Sequence, residues 1–143
     1  MTRINTVHVT ALLDQHLIAE YRELPRVINA IVNGKINRNC TIPKEYCLGT
    51  GHVTFFYNKL SYLTNRMDEL IHEMKHRGFK CSFDKSDWDL SNTTIIKQVD
   101  WMPSDTDKLL NLDRLILRTP KNPRFNCKSA DPSWYVNTRA DFD

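Results

Sequence analysis

The chain has 143 residues, 41% of them apolar and 26% charged, and its 20 basic and 17 acidic side chains leave a formal charge of +3. Such a length fits one compact domain over 1–143 able to bury a core, and neither a long apolar run nor a targeting segment points to a membrane. Net charge alone excludes no partner, but Arg3, Arg22, Arg26, Lys35, Arg38 and Lys44 crowd the first third with only Asp14, Glu20 and Glu23 among them, an asymmetry that suits phosphate contacts.

The chain opens Met1-Thr2-Arg3-Ile4-Asn5. A small second residue favours removal of Met1, which leaves the α-amine of Thr2 free. The reference pKa of an α-amine is about 7.7–8.0 against about 10.4 for lysine, so roughly a tenth of it is unprotonated near neutral pH. Unprotonated amines attack sugar or carbonyl carbons to give imines, and a nearby carboxylate steadies the developing positive charge and moves protons.

A first helix is expected from Asp14, read as its N-cap, to Val32, with Gly34 near its end. At about 100° per residue, Gln15, Ala19, Arg22 and Arg26 form one stripe, with His16 and Glu23 beside it. Leu13, Leu17, Tyr21, Leu24 and Ile28 face the other way, toward a core. Two guanidiniums thus share a surface with Glu23 and favour its ionised form. Pro25 removes one helix hydrogen bond beside that surface and should kink or tighten the helix there.

A second helix is expected from His52 to Arg77, with Phe56, Leu60, Leu63, Met67, Leu70 and Met74 on its apolar face and Gly78 as terminator. Thr93 to Val99 reads as a short strand. A third helix starts after Ser104, which forms a capping box with Asp107, carries Leu109, Leu112, Leu115 and Ile116, and stops before Pro120. The tail beyond, punctuated by Pro123 and Pro132, reads as irregular. The expected fold is therefore all-α, a compact three-helix single domain with long irregular loops.

Cys40, Cys47, Cys81 and Cys127 show no metal-ligand spacing and, without a leader, read as reduced thiols in the cytoplasm. His72-Glu73-Met74-Lys75-His76 matches HExxH, the zinc-hydrolase helix, but no further histidine follows to complete the ligand set. Trp134 and Tyr135 are candidates either to stack on a base or to tether the tail.

The segments TRIN at 2–5, DQHLIAEYRELPRV at 14–27, LGTGHVTFFYNKL at 48–60 and RGF at 77–79 resemble the phage pyrimidine-dimer DNA glycosylases with apurinic/apyrimidinic lyase activity, the phage endonuclease V family. The resemblance is dense to Phe79 and fades after it. It implies that the Thr2 amine attacks the anomeric carbon of a damaged nucleotide, expels the base and leaves an imine whose β-elimination cuts the strand, without metal or cofactor. It makes Glu23 the catalytic carboxylate and Arg3, Arg22 and Arg26 phosphate ligands, with Gln15 and His16 lining the same site. Arg114 and Arg118 stand where the family has a basic pair, and Ser133-Trp134-Tyr135 resembles its C-terminal aromatic motif. The implied partner is damaged double-stranded DNA, bound by a single chain, with ultraviolet-induced cyclobutane dimers as the lesion and the opposite base displaced. Two rivals stay open at this point: a DNA-binding protein on the same scaffold that is non-enzymatic or acts on another lesion, and an HExxH zinc hydrolase.

Overall fold

The computed structural model describes residues 4–37, 39–82, 88 and 96–142. Thr2, Arg3 and Arg38, most of the acidic run between Asp84 and Asp89, and the start of the strand expected at Thr93 lie outside the described residues. Within them the fold is all-α: helices α1 (Asp14–Val32), α2 (His52–Phe55), α3 (Leu60–His76), α4 (Asp105–Leu117) and α5 (Trp134–Ala140), with one two-stranded hairpin, β1 (Arg124–Phe125) and β2 (Lys128–Ser129). No described helix is long and apolar enough to cross a membrane.

Helix α1 packs along α3. Leu13, Leu17, Tyr21, Leu24 and Ile28 are all buried, whereas Ala19, Arg22 and Arg26 are exposed, so the two faces fall as the periodicity requires. The helix runs through Pro25 without interruption. It ends in a Schellman motif: the Lys35 N–H reaches Ala30 O, the Gly34 N–H reaches Ile31 O, and Gly34 takes φ +69°. The same motif closes α3 through Gly78 and Phe79.

Asp14 does not cap α1; Leu13 holds the N-cap position, with no side-chain cap. The Asp14 carboxylate is buried instead, accepting from Arg77 Nη1 at 2.9 Å and from the backbone N–H groups of Asn126 and Cys127 at 3.0 and 2.8 Å. Arg77 also pairs with Glu73 and donates to Leu12 O. One buried charge cluster thus ties the start of α1, the end of α3 and the tip of the β1–β2 hairpin together. Its two carboxylates share one guanidinium, and the two backbone N–H groups on Asp14 make up donors that the single cation does not supply, which is what makes the burial tolerable.

The single helix expected from His52 to Arg77 is broken. α2 gives way to a 3-10 turn, Phe56–Asn58, and Lys59 leaves helical geometry at φ −125°, ψ 42°. The freed backbone groups find partners elsewhere. Gln98 accepts from Leu60 N–H and donates to Tyr57 O, the Val99 N–H donates to Asn58 O, and Lys59 Nζ donates to Phe55 O. Residues 96–99 are irregular rather than a strand.

Helix α4 begins at the Ser104–Asp107 capping box, with Leu112 and Leu115 buried. The tail is more ordered than its sequence pattern suggests. The hairpin turns at Asn126 and Cys127, both with positive φ, the geometry of a primed turn. α5 then packs against α4.

Candidate active site

Chain termini commonly fray unless tied down, yet Ile4 to Val7 are all buried. Their backbone is held almost group by group. The Ile4 N–H donates to His52 Nε2 at 2.8 Å, and Ile4 O accepts from the Tyr46 hydroxyl at 3.2 Å. Asn5 O accepts from the Tyr62 hydroxyl at 2.8 Å. The Thr6 and Val7 N–H groups both reach Asn111 Oδ1 of α4, at 2.8 and 3.2 Å.

Side chains complete the anchorage. Asn5 Nδ2 donates to Glu20 Oε1 at 2.7 Å, and Asn111 Nδ2 donates to Asn5 Oδ1 at 2.8 Å. Arg66 of α3 grips Glu20 through Nε and Nη2, at 2.7 and 3.0 Å, and donates Nη1 to Val7 O. Burial alone would lower the Arg66 pKa, but the charge and hydrogen bonds of Glu20 outweigh it and raise the value, so the pair stays ionic. Burial pushes the Tyr62 phenol up. Four helices, α1 to α4, therefore converge on the N-terminal segment.

A cleft of about 80 Å³ opens beside this anchorage, lined among others by Asn5, His16, Glu23, Leu115 and Arg118. Two carboxylates of α1, one turn apart, border it, and their environments differ. Glu20 is 1% exposed and committed to Arg66 and Asn5, whereas the Glu23 side chain is 31% exposed. Of the two, Glu23 is the one that meets solvent, and Arg26 Nη1 lies 3.5 Å from its Oε2.

The remaining residues singled out in the sequence divide into two groups. Arg22, Arg26 and Arg118 are exposed, and Arg118 is the C-cap of α4 at the cleft. Arg22 turns into a neighbouring groove with Phe79 and Lys80. Arg114 is half-buried, and its Nε has no hydrogen-bond partner among the described residues.

Gln15, His16, Trp134 and Tyr135 instead hold the tail in place. Gln15 Nε2 donates to Asn122 O, and its Oε1 accepts from the Arg124 N–H. Trp134 Nε1 donates to Ala11 O, and its ring stacks on Phe125 at 4.5 Å. Tyr135 is fully buried, so the stacking on a base considered for it gives way to tethering. Its oxygen accepts from the Leu13 N–H at 2.9 Å, its hydroxyl meets His16 Nδ1 at 2.6 Å, and His16 Nε2 meets Arg118 O at 3.1 Å. A carbonyl only accepts, so the partners assign the proton to His16 Nε2. Burial also pushes the Tyr135 phenol up.

Among the described residues, the HExxH residues belong to no group placed to hold a metal ion. Glu73 is buried against Arg77, while His72 and His76 are exposed. The sequence pattern pointed past the residues that hold the N-terminus, although a signal was present. Glu20 falls between Leu17 and Leu24, and Arg66 between Leu63 and Leu70, so each puts a charge at core spacing on one of two helices that pack together. Set against proteins of known family, residues 1–87 match the family described as pyrimidine dimer DNA glycosylase.

Proposed function

Because the chain belongs to the pyrimidine dimer DNA glycosylase family, we propose that it processes cyclobutane dimers in duplex DNA through an imine on the α-amine of Thr2, and then cleaves the strand as a lyase. The amine nitrogen bonds to C1′ of the damaged nucleotide while the C1′–N glycosidic bond breaks and its electron pair leaves with the base. Loss of a proton from nitrogen leaves an N,O-acetal at C1′, and the nitrogen lone pair then forms the C=N bond as the C1′–O4′ bond breaks; O4′ takes up a proton, the sugar ring opens, and a protonated imine joins C1′ to Thr2. Glu23 takes a proton from C2′, the C3′–O bond breaks to release the 3′ phosphate, and water then hydrolyses the imine to free the amine. No metal or cofactor enters these steps.

The observation that carries this reading is the anchorage of Ile4 to Val7 beside the cleft that Glu23 lines. Three peptide units reach about 10 Å at most, so an amine at residue 2 has to work within a short radius of Asn5. A segment pinned this firmly supplies the fixed attack geometry from which much of a covalent catalyst's advantage comes. Arg3, Arg22, Arg26 and Arg118 serve as phosphate contacts, which fix the strand without reading its sequence. Recognition then rests on how easily the damaged step deforms and lets a base leave the stack. The protein acts as a single chain.

A defined cyclobutane-dimer duplex tests the reading. Wild type should nick it, and Glu23→Gln should bind it with similar affinity yet lose nicking by about 100-fold or more, the usual scale of a general acid–base contribution. Near-normal nicking by Glu23→Gln would remove the carboxylate from its role. Nicking of undamaged DNA at an equal rate would dismiss the lesion.

A further inference from the structure

Among the groups that hold the N-terminal segment, His52 is only 4% exposed and makes two directed hydrogen bonds. Its Nδ1 lies 2.9 Å from Cys47 O, and its Nε2 accepts the Ile4 N–H at 2.8 Å. A backbone carbonyl can only accept and a backbone N–H can only donate. The ring is therefore neutral with its proton on Nδ1, and the Nε2 lone pair is aimed at residue 4. The Tyr46 and Phe56 rings meet the imidazole edge-on at 5.6 and 5.7 Å, which fixes its plane. Tyr46 adds a second hold on the same residue, donating its hydroxyl to Ile4 O.

Together these contacts clamp both polar groups of Ile4 from one side while its side chain is fully buried. The clamp acts closer to the chain start than any other described hydrogen bond. Residue 4 is two peptide units from the amine at Thr2, a reach of about 7 Å, so a rotation at Ile4 is passed on to the amine with little slack.

We propose that His52 is a positioning residue for the N-terminal amine, its neutral imidazole fixing the orientation of Ile4, the residue through which the amine is tied to the core. The proposal rests on the Thr2 imine reading. Loss of the acceptor leaves the fold's helices in place, since the Asn5, Glu20, Arg66 and Asn111 contacts remain, but lets the first residues swing away from the attack line. His52→Leu removes the acceptor. His52→Gln keeps one, because the amide oxygen of glutamine falls near the place of Nε2.

The experiment is single-turnover borohydride trapping on a dimer-containing duplex, run beside anisotropy measurements of DNA affinity and thermal melts. His52→Leu should slow adduct formation by about 10- to 100-fold, the range a displacement near 1 Å can produce, with DNA affinity unchanged. His52→Gln should recover to within about threefold of wild type, whereas a group needed for packing alone would leave the trapping rate of any folded variant unaltered. Should His52→Leu not fold, Tyr46→Phe, which deletes only the hydroxyl on Ile4 O, should still slow trapping several-fold. A folded His52→Leu that traps at the wild-type rate, or a His52→Gln as slow as His52→Leu, overturns the positioning role. A wild type that forms no adduct overturns the imine reading and this proposal with it.

Discussion

Replacing Arg66 with Met tests the anchorage of the N-terminal segment at its buried ion pair. The Arg66 and Glu20 side chains are 4% and 1% exposed, and their bidentate contact is backed by the bond from Arg66 to Val7 O. Methionine fills much of the same space but leaves the Glu20 carboxylate with Asn5 as its remaining described donor, and strips Val7 O of its described side-chain donor. Removing one partner of a buried ion pair costs about 3–5 kcal/mol, a large share of the roughly 5–15 kcal/mol that stabilises a typical domain. At about 3 °C per kcal/mol for a chain of this size, the melting temperature should fall by about 10–15 °C. Urea unfolding followed by far-ultraviolet circular dichroism measures the loss. Adding Glu20→Gln to Arg66→Met should recover at least about 1 kcal/mol, because the uncompensated charge disappears while an acceptor for Asn5 stays. An Arg66→Met protein within about 1 kcal/mol of wild type, or a double variant less stable than the single one, would refute the reasoning.

The other predictions concern DNA contact and alkaline stability. Arg26 is 75% exposed and its pairing with Glu23 is a surface one at 3.5 Å, so Arg26→Ala should change stability by less than about 0.5 kcal/mol. It should nevertheless weaken DNA binding and reduce the slope of log affinity against log salt by about one; an unchanged slope in a salt titration removes the phosphate contact. Burial raises the Tyr62 and Tyr135 phenols above their ordinary value of 10.0. The folded state therefore holds these protons where the unfolded chain has lost them, and the stability they lend is intact below pH 10 and declines as pH rises past it. Absorbance at about 295 nm should show both tyrosines ionising only together with unfolding, so ionisation near pH 10 in a still folded chain would contradict their burial.

Much of this was legible in the sequence because periodicity reports faces. The inward residues of α1, the apolar row from Leu60 to Met74 and the Ser104–Asp107 cap all appear where spacing put them. The break between α2 and α3 was not legible, because Phe56, Leu60 and Leu63 keep helical spacing across it. What satisfies the broken backbone is Gln98 and Val99, some forty residues on. Helix α5 escaped for a related reason. Over Trp134–Ala140 only Tyr135 is buried, and what fixes the segment is the tertiary reach of Tyr135 to Leu13 and of Trp134 to Ala11.

The candidate site divides the same way. Arg22, Glu23 and Arg26 could be seen together because one helix carries them. The clamp on Ile4 to Val7 draws on His52, Tyr62, Arg66 and Asn111, which sequence separates by up to about a hundred positions. Gln15 and His16 fell on the expected face of α1, yet their polar groups turn to the tail and to Arg118 O. A stripe fixes direction from the helix axis but not the partner a side chain meets.

Digestion and mass spectrometry of the borohydride-reduced complex with a dimer-containing duplex test the central claim most directly. The sugar remnant should be found on the N-terminal peptide, at the α-amine of Thr2, and acetylation of that amine should abolish it. A remnant on a lysine, or an acetylated protein that traps DNA as well as the free one, would contradict the account.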